Sequence, residues 1–316
     1  MSAPPLLPGW RDRLGTNQPD DVLIVPTGKA LGAEVVGVDL SAPLDAALIG
    51  CLKSAWLEHL VLLFRGQSLD PRGLVGAAAT FGEPEVPAAV RYYERSGLTP
   101  PNHIHRNIMA ISNLGPEGLP VAVNDGLGSG EVVWHSDNSY IDCPPSASML
   151  YALEVPPQGG DTWFNNQYEA YGTLPEKTRD RIASLGAVHD SSRNSAGVLR
   201  PGVKAPTTLS EVPGPTHPLV RRHPDTGRPA LYLGRRRAAP SQDNPEVDEA
   251  ESEALLDELW AHATHPDLAW SHQWRAGDVV LWDNRCAMHR RDPHDPRFPR
   301  IMHRVQLAGT APEAFQ

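Results

Sequence analysis

The stretch Gly277-Asp278-Val279-Val280-Leu281-Trp282-Asp283-Asn284-Arg285 sets four apolar residues between turn-forming neighbours, with His289 shortly after it. It reads as a β-strand that enters a tight Asp-Asn turn, and the returning segment delivers a histidine. Working outward, short β-rich runs bounded by Gly, Pro, Asp or Asn recur at 22–26, 33–38, 60–64, 132–134, 149–155, 230–233 and 301–307. Helical patterns are fewer. Leu44, Leu48, Leu52, Trp56 and Leu60 recur at helix spacing and predict a helix over about 44–59, with two more over 175–185 and 249–263. The last of these carries Leu255, Leu256, Leu259 and Trp260 on one face. Many strands and few helices give a mainly β fold with flanking helices, a sandwich or barrel. The strands do not alternate with helices as a doubly wound nucleotide-binding sheet requires, and there is no G-x-G-x-x-G, P-loop or G-x-S-x-G.

The 316 residues read as a single domain spanning 1–316, with loop-like stretches near 102–130 and 191–215 as lid segments. A formal net charge of -10 argues against wrapping nucleic acid, although local arginines can still reverse the field inside a pocket. Cys51, Cys143 and Cys286 are far apart and odd in number, which is neither a disulfide framework nor a zinc ribbon and fits a reducing cytoplasm. No stretch approaches the roughly 20 apolar residues of a membrane span, and the start lacks the pattern of a secretory signal. A soluble, cytoplasmic chain with no membrane partner is expected; homo-oligomerisation is left open.

Upstream stands Trp134-His135-Ser136-Asp137. In an extended segment residues i and i+2 share a face, so His135 and Asp137 can reach one ion together. Alone, an H-x-D pair is weak evidence. His289 from the returning segment completes a two-histidine, one-carboxylate set, the facial triad of non-haem iron(II) oxygenases, and the lack of thiolate argues against structural zinc. Eleven residues beyond His289, Arg300 opens Pro-Arg-Ile-Met-His-Arg-Val, in which strand alternation puts Arg300, Met302 and Arg304 on one face. Two inward arginines need anions to meet them, and a dicarboxylate co-substrate would supply one. The competing reading is a pair of surface arginines bound to the acidic exterior.

These residues carry a resemblance. The chain resembles the taurine dioxygenase / 2,4-dichlorophenoxyacetate dioxygenase (TauD/TfdA) family of Fe(II)/2-oxoglutarate enzymes. The likeness runs from Leu31-Gly32-Ala33-Glu34-Val35-Val36-Gly37-Val38-Asp39-Leu40 through WHSDNSY, Gly159-Gly160-Asp161-Thr162, HPDTGRPALY and GDVVLWDNRCAMH to RIMHRVQLAG. The 27-residue step from His135 to Thr162 and the 11-residue step from His289 to Arg300 both fit.

The resemblance implies a double-stranded β-helix, or jelly roll, with Fe(II) held by His135, Asp137 and His289. It implies that Thr162 and Arg300 hold the distal carboxylate of 2-oxoglutarate, that O2 is the oxidant, and that Arg304 meets an anionic substrate headgroup. His105 and Asn138 are further candidate substrate contacts. The implied reaction is hydroxylation of a small, anionic organic molecule, with collapse to C–X cleavage where the hydroxylated carbon bears nitrogen, oxygen or sulfur. Retention of Asp137 favours this over halogenation. Where relatives carry asparagine and aromatic residues after Leu233, this chain has Gly234-Arg235-Arg236-Arg237, which is either a solvated turn or a steering charge at the mouth. His217 and His223, each followed by proline, read as structural, and Trp134 and Trp282 as packing that keeps the metal site dry. Two other readings share the same residues: a non-catalytic jelly roll that binds a small anion, and a zinc-dependent hydrolase.

Overall fold

The computed structural model describes residues 22–87, 90–91, 94, 104–122, 128–193, 199–200, 202–236 and 242–316. Among these the strands are β1 (Leu23–Pro26), β2 (Ala33–Val36), β3 (Val61–Phe64), β4 (Met109–Ser112), β5 (Val132–His135), β6 (Ala147–Glu154), β7 (Thr162–Asn166), β8 (Gly186–His189) and β9 (Thr216–Pro218). They continue with β10 (Val220–Arg222), β11 (Pro229–Leu231), β12 (Gln242–Asp243), β13 (Ala269–His272), β14 (Val279–Asp283), β15 (Ala287–Arg291), β16 (Ile301–Leu307) and β17 (Glu313–Ala314).

Alternation along β14 shows how the layers form. Val279 and Leu281 project to one face and Val280 and Trp282 to the other, and all four are buried, so the strand is covered on both sides. It lies inside a seven-stranded sheet of order β1-β2-β3-β14-β6-β16-β4. The outer face packs Leu62, Phe64, Met149, Leu281 and Val305 against helices Ala46–His59 and Pro71–Ala79. The inner face sets Leu150, Val280, Trp282 and Met302 against Phe164 and Ala287 of a four-stranded sheet, order β13-β7-β15-β5. Met288, on the far side of that second sheet, packs with Leu255, Leu256 and Leu259 of helix Glu249–Ala263. Two facing sheets flanked by helices are the jelly roll expected.

Local chemistry sets the boundaries. The first helix begins after Asp45, whose carboxylate accepts from the Leu48 N–H, so it starts at Ala46 rather than near 44. It ends at Leu60, which takes a positive φ of 65° and cannot open the strand expected from 60; β3 begins at Val61. Helix Glu249–Ala263 has the expected limits, capped by Asp248 onto the Glu251 N–H. Within the stretch 102–130, Met109–Ser112 is β4, paired with β16, and that part belongs to the sheet. Arg237 lies outside the described residues. Among those described, no helix is long and apolar enough to cross a membrane.

Candidate metal centre

His135 ends β5 and His289 sits in the middle of β15, and the two are direct cross-strand partners. Their rings therefore face the same interior, with centroids 4.1 Å apart. Asp137, two residues past His135, brings its Oδ1 to 3.7 Å from His135 Nε2 and 3.9 Å from His289 Nε2. One ligand atom from each of the three residues falls within 4.8 Å of the others. The three side chains that spacing and turn bring together in sequence thus converge in space.

The surroundings suit them to holding a metal ion. His135 Nδ1 lies 2.8 Å from the Val133 carbonyl, a bond that puts the proton on Nδ1 and leaves the Nε2 lone pair free. Burial first, then the neighbouring His135, pulls the His289 imidazole down to about 3, so it is neutral at physiological pH. For Asp137, burial opposes ionisation. Arg304 and the two histidines outweigh it and hold the carboxyl well below its ordinary value. Phe164 and Trp282 pack against the His289 ring, at 6.1 and 4.7 Å between centroids, and close off water.

The turn quoted at the outset locks the ligand loop in place. Asn284 accepts from the Asp137 N–H at 2.6 Å and donates to the carbonyls of Asp137 and Pro145, each at 2.9 Å. Ser148 Oγ donates to Asp137 Oδ2 at 2.6 Å, while Arg304 Nη1 donates to Oδ1 at 3.1 Å. Asn284, Ser148 and Gln306 were not singled out from sequence. The signal existed: the inward alternation Met302, Arg304 extends to Gln306, and Ser148 is the one serine in a largely apolar strand.

Arg300 precedes β16, beyond a register shift between Ile301 and Met302, so simple alternation does not carry to it. It is nevertheless only 3% exposed, its Nε has no hydrogen-bond partner, and no acidic side chain pairs with it among the described residues. Burial, then the nearby Arg291, lowers its guanidinium to about 9, which still leaves it positive at neutral pH. Gly160 lies beside it at a left-handed φ of 72°, a conformation that favours glycine. Thr162 is buried at the head of β7, and its Oγ1 accepts from Trp274 Nε1 at 2.9 Å; the Arg300 guanidinium lies 6.0 Å from the Trp274 ring. Two imidazoles and a carboxylate fit an iron(II) ion, and a buried cation with no acidic partner among the described residues fits a carboxylate.

Other expected contacts fare differently. Asn138 donates to Gln306 Oε1 and accepts from the Tyr140 hydroxyl. His105 is half-buried, its Nδ1 accepts from the Asn107 N–H, and no hydrogen bond joins it to the three ligands. Trp134 is a correction: as the neighbour of His135 it faces the opposite side of the sheet, beside Arg290, and does not shield the metal site. Arg236 is paired with Glu253 and Asp257, and Arg235 donates to the Arg193 carbonyl and bridges to His135, so neither is a solvated surface charge. His217 bonds the Ile141 carbonyl, a structural use. His223, Asp283 and Cys286 also converge, but both Asp283 oxygens are taken by Arg285 and His223, which marks a structural network.

Known proteins share this arrangement of fold. A family model described as taurine catabolism dioxygenase TauD, TfdA family matches residues 23–306. The (S)-phenoxypropionate/alpha-ketoglutarate-dioxygenase of Delftia acidovorans is 37% identical over 301 residues, covering 90% of this chain and 94% of that protein. The alpha-ketoglutarate-dependent sulfate ester dioxygenase of Pseudomonas putida is 33% identical over 299 residues, covering 91% and 89%. Among solved structures, AAD-2 in complex with Mn(II) and N-oxalylglycine matches with a TM-score of 0.75 at 30% identity, covering 92% of this chain and 99% of that one. With a model match spanning most of its length and relatives of this similarity, the chain belongs to the TauD/TfdA family of dioxygenases.

Proposed function

We propose that the chain is an Fe(II)/2-oxoglutarate-dependent dioxygenase that hydroxylates a small organic anion, a sulfonate, carboxylate or similar molecule. The observation that carries this reading is Arg300, a buried guanidinium without an acidic partner among the described residues, four positions before the Arg304 that donates to Asp137 of the triad. An unpaired buried cation is costly unless an anion completes it.

In this reading His135, Asp137 and His289 hold Fe(II), and Arg300 with Thr162 holds the distal carboxylate of 2-oxoglutarate. When bound, iron(II) with 2-oxoglutarate and O2 supplies the oxidising power for C–H hydroxylation, with succinate and carbon dioxide as co-products. The protein's part is placement. Trp282 and Phe164 exclude water behind His289, and Asn284 fixes the backbone of Asp137. Arg304, whose Nη2 reaches the Met109 sulfur at 3.3 Å beside the triad, presents a positive charge to a substrate headgroup. Where the hydroxylated carbon bears oxygen, nitrogen or sulfur, the product collapses to a carbonyl compound.

The names of the relatives, phenoxypropionate and sulfate ester dioxygenases, support a small anionic substrate. We read 1–316 as a single domain. Arg200, within the stretch 191–215, lies 4.3 Å over the Tyr140 ring, three residues past Asp137, which supports a lid role there. Three unpaired cysteines support a cytoplasmic setting. The experiment is Arg304→Ala assayed on the best anionic substrate from a panel of sulfonates, sulfates, aryloxy acids and amino acids. The substrate KM is expected to rise about 100-fold, from loss of a desolvated charge pair, while half-saturation by 2-oxoglutarate holds. Unchanged affinity for that substrate would remove Arg304 from the substrate site.

A further inference from the structure

Four hydrogen bonds run in series from half-buried Tyr140 to the Asp137 carboxylate. The Tyr140 hydroxyl donates to Asn138 Oδ1 at 3.0 Å, and Asn138 Nδ2 donates to Gln306 Oε1 at 3.1 Å. Gln306 Nε2 then donates to Ser148 Oγ at 3.2 Å, and Ser148 Oγ donates to Asp137 Oδ2 at 2.6 Å. Every donor points the same way, toward the anion. Bonds aligned head to tail polarise one another, by roughly 10–30% per bond, and a chain that ends on a carboxylate gains most at its last, charge-assisted link.

Each member is held where the chain needs it. Ser148 and Gln306 are cross-strand partners on β6 and β16, so their side chains meet by sheet register. Ser148 is fully buried and Gln306 nearly so, which leaves little water to compete for their bonds. Asn138 takes a positive φ of 49°, a conformation that asparagine tolerates better than most residues, and this turns its amide back toward Gln306.

The two carboxylate oxygens are consequently unlike. Oδ1 faces both imidazole Nε2 atoms and Arg304, whereas Oδ2 is tied to Ser148. We propose that Tyr140, Asn138, Gln306 and Ser148 form a positioning relay that turns Asp137 Oδ1 toward the metal position and links half-buried Tyr140 to it. The proposal rests on the reading of Asp137 as a metal ligand. The four relay residues act through Asp137 and need not touch substrate.

The test is Mn(II) affinity of the full-length, metal-stripped protein, measured from the loss of the free-ion electron paramagnetic resonance signal, with thermal melting of each metal-free variant in parallel. Ser148→Ala is expected to weaken Mn(II) binding about tenfold, the scale typical of groups that orient a ligand. Gln306→Met alone should weaken it by about threefold, one neutral hydrogen bond's worth. In the Ser148→Ala background Gln306→Met should change nothing, because the relay is already cut. A packing role would instead give additive losses that follow the melting temperature, and additivity overturns the relay. So does Ser148→Ala binding within twofold of the parent while Asp137→Ala abolishes binding. If Asp137→Ala itself keeps full Mn(II) affinity, the ligand assignment beneath the proposal fails instead.

Discussion

His289→Ala is expected to lower metal affinity and succinate formation by on the order of 1000-fold, roughly 4 kcal/mol. The residue is one of only three side chains that converge on the centre, so no neighbour among the described residues can take its place. Its imidazole is already neutral, held down to about 3 chiefly by burial, so binding a cation there displaces no proton at pH 7. The ring is also wedged against Trp282 and Phe164. Truncation leaves a space that an added imidazole can enter, and partial rescue by imidazole would separate lost ligation from lost packing. Mn(II) titration and succinate quantification check the effect. Affinity within tenfold of the parent would contradict it.

Arg300→Met tests the co-substrate end and carries a more unusual signature. Half-saturation by 2-oxoglutarate should rise at least about 100-fold while Mn(II) affinity stays near the parent's, since Arg300 does not touch the triad. The metal-free variant should melt no lower than the parent. Removing a buried charge from a salt bridge is destabilising because a partner is stranded, but Arg300 has no acidic partner among the described residues, and its burial works against its charge. Methionine fills similar volume without that penalty. Stability kept and co-substrate binding lost is the pattern of a residue retained for a ligand. An unchanged requirement for 2-oxoglutarate would remove Arg300 from the co-substrate site.

The strands that build the core were legible because their apolar runs are bounded by turn residues; β16 and helix Glu249–Ala263 match the expected limits. Two strands that line the centre, β7 and β15, were not, although β5 was expected at 132–134. β15 reads Ala-Met-His-Arg-Arg and β7 reads Thr-Trp-Phe-Asn-Asn, because the interior they face is polar where the ligands gather. A pattern search that equates inward with apolar passes over them. Convergence of His135, Asp137 and His289 was readable from period-two spacing and one turn, both local features. Ser148 and Gln306 meet Asp137 through the pairing of β6 with β16, a long-range register that no local pattern encodes. Trp134 failed for a simpler reason: adjacency to His135 in sequence places it on the opposite face of the sheet.

The central claim is met most directly by anaerobic loading of the protein with iron(II) and 2-oxoglutarate, followed by oxygen and quantification of succinate. The measurement is made with and without a panel of sulfonates, sulfates, aryloxy acids and amino acids, beside a His135→Ala control. The predicted result is succinate release that at least one anionic compound stimulates and that the control lacks. No succinate above the His135→Ala level with any compound would contradict the account.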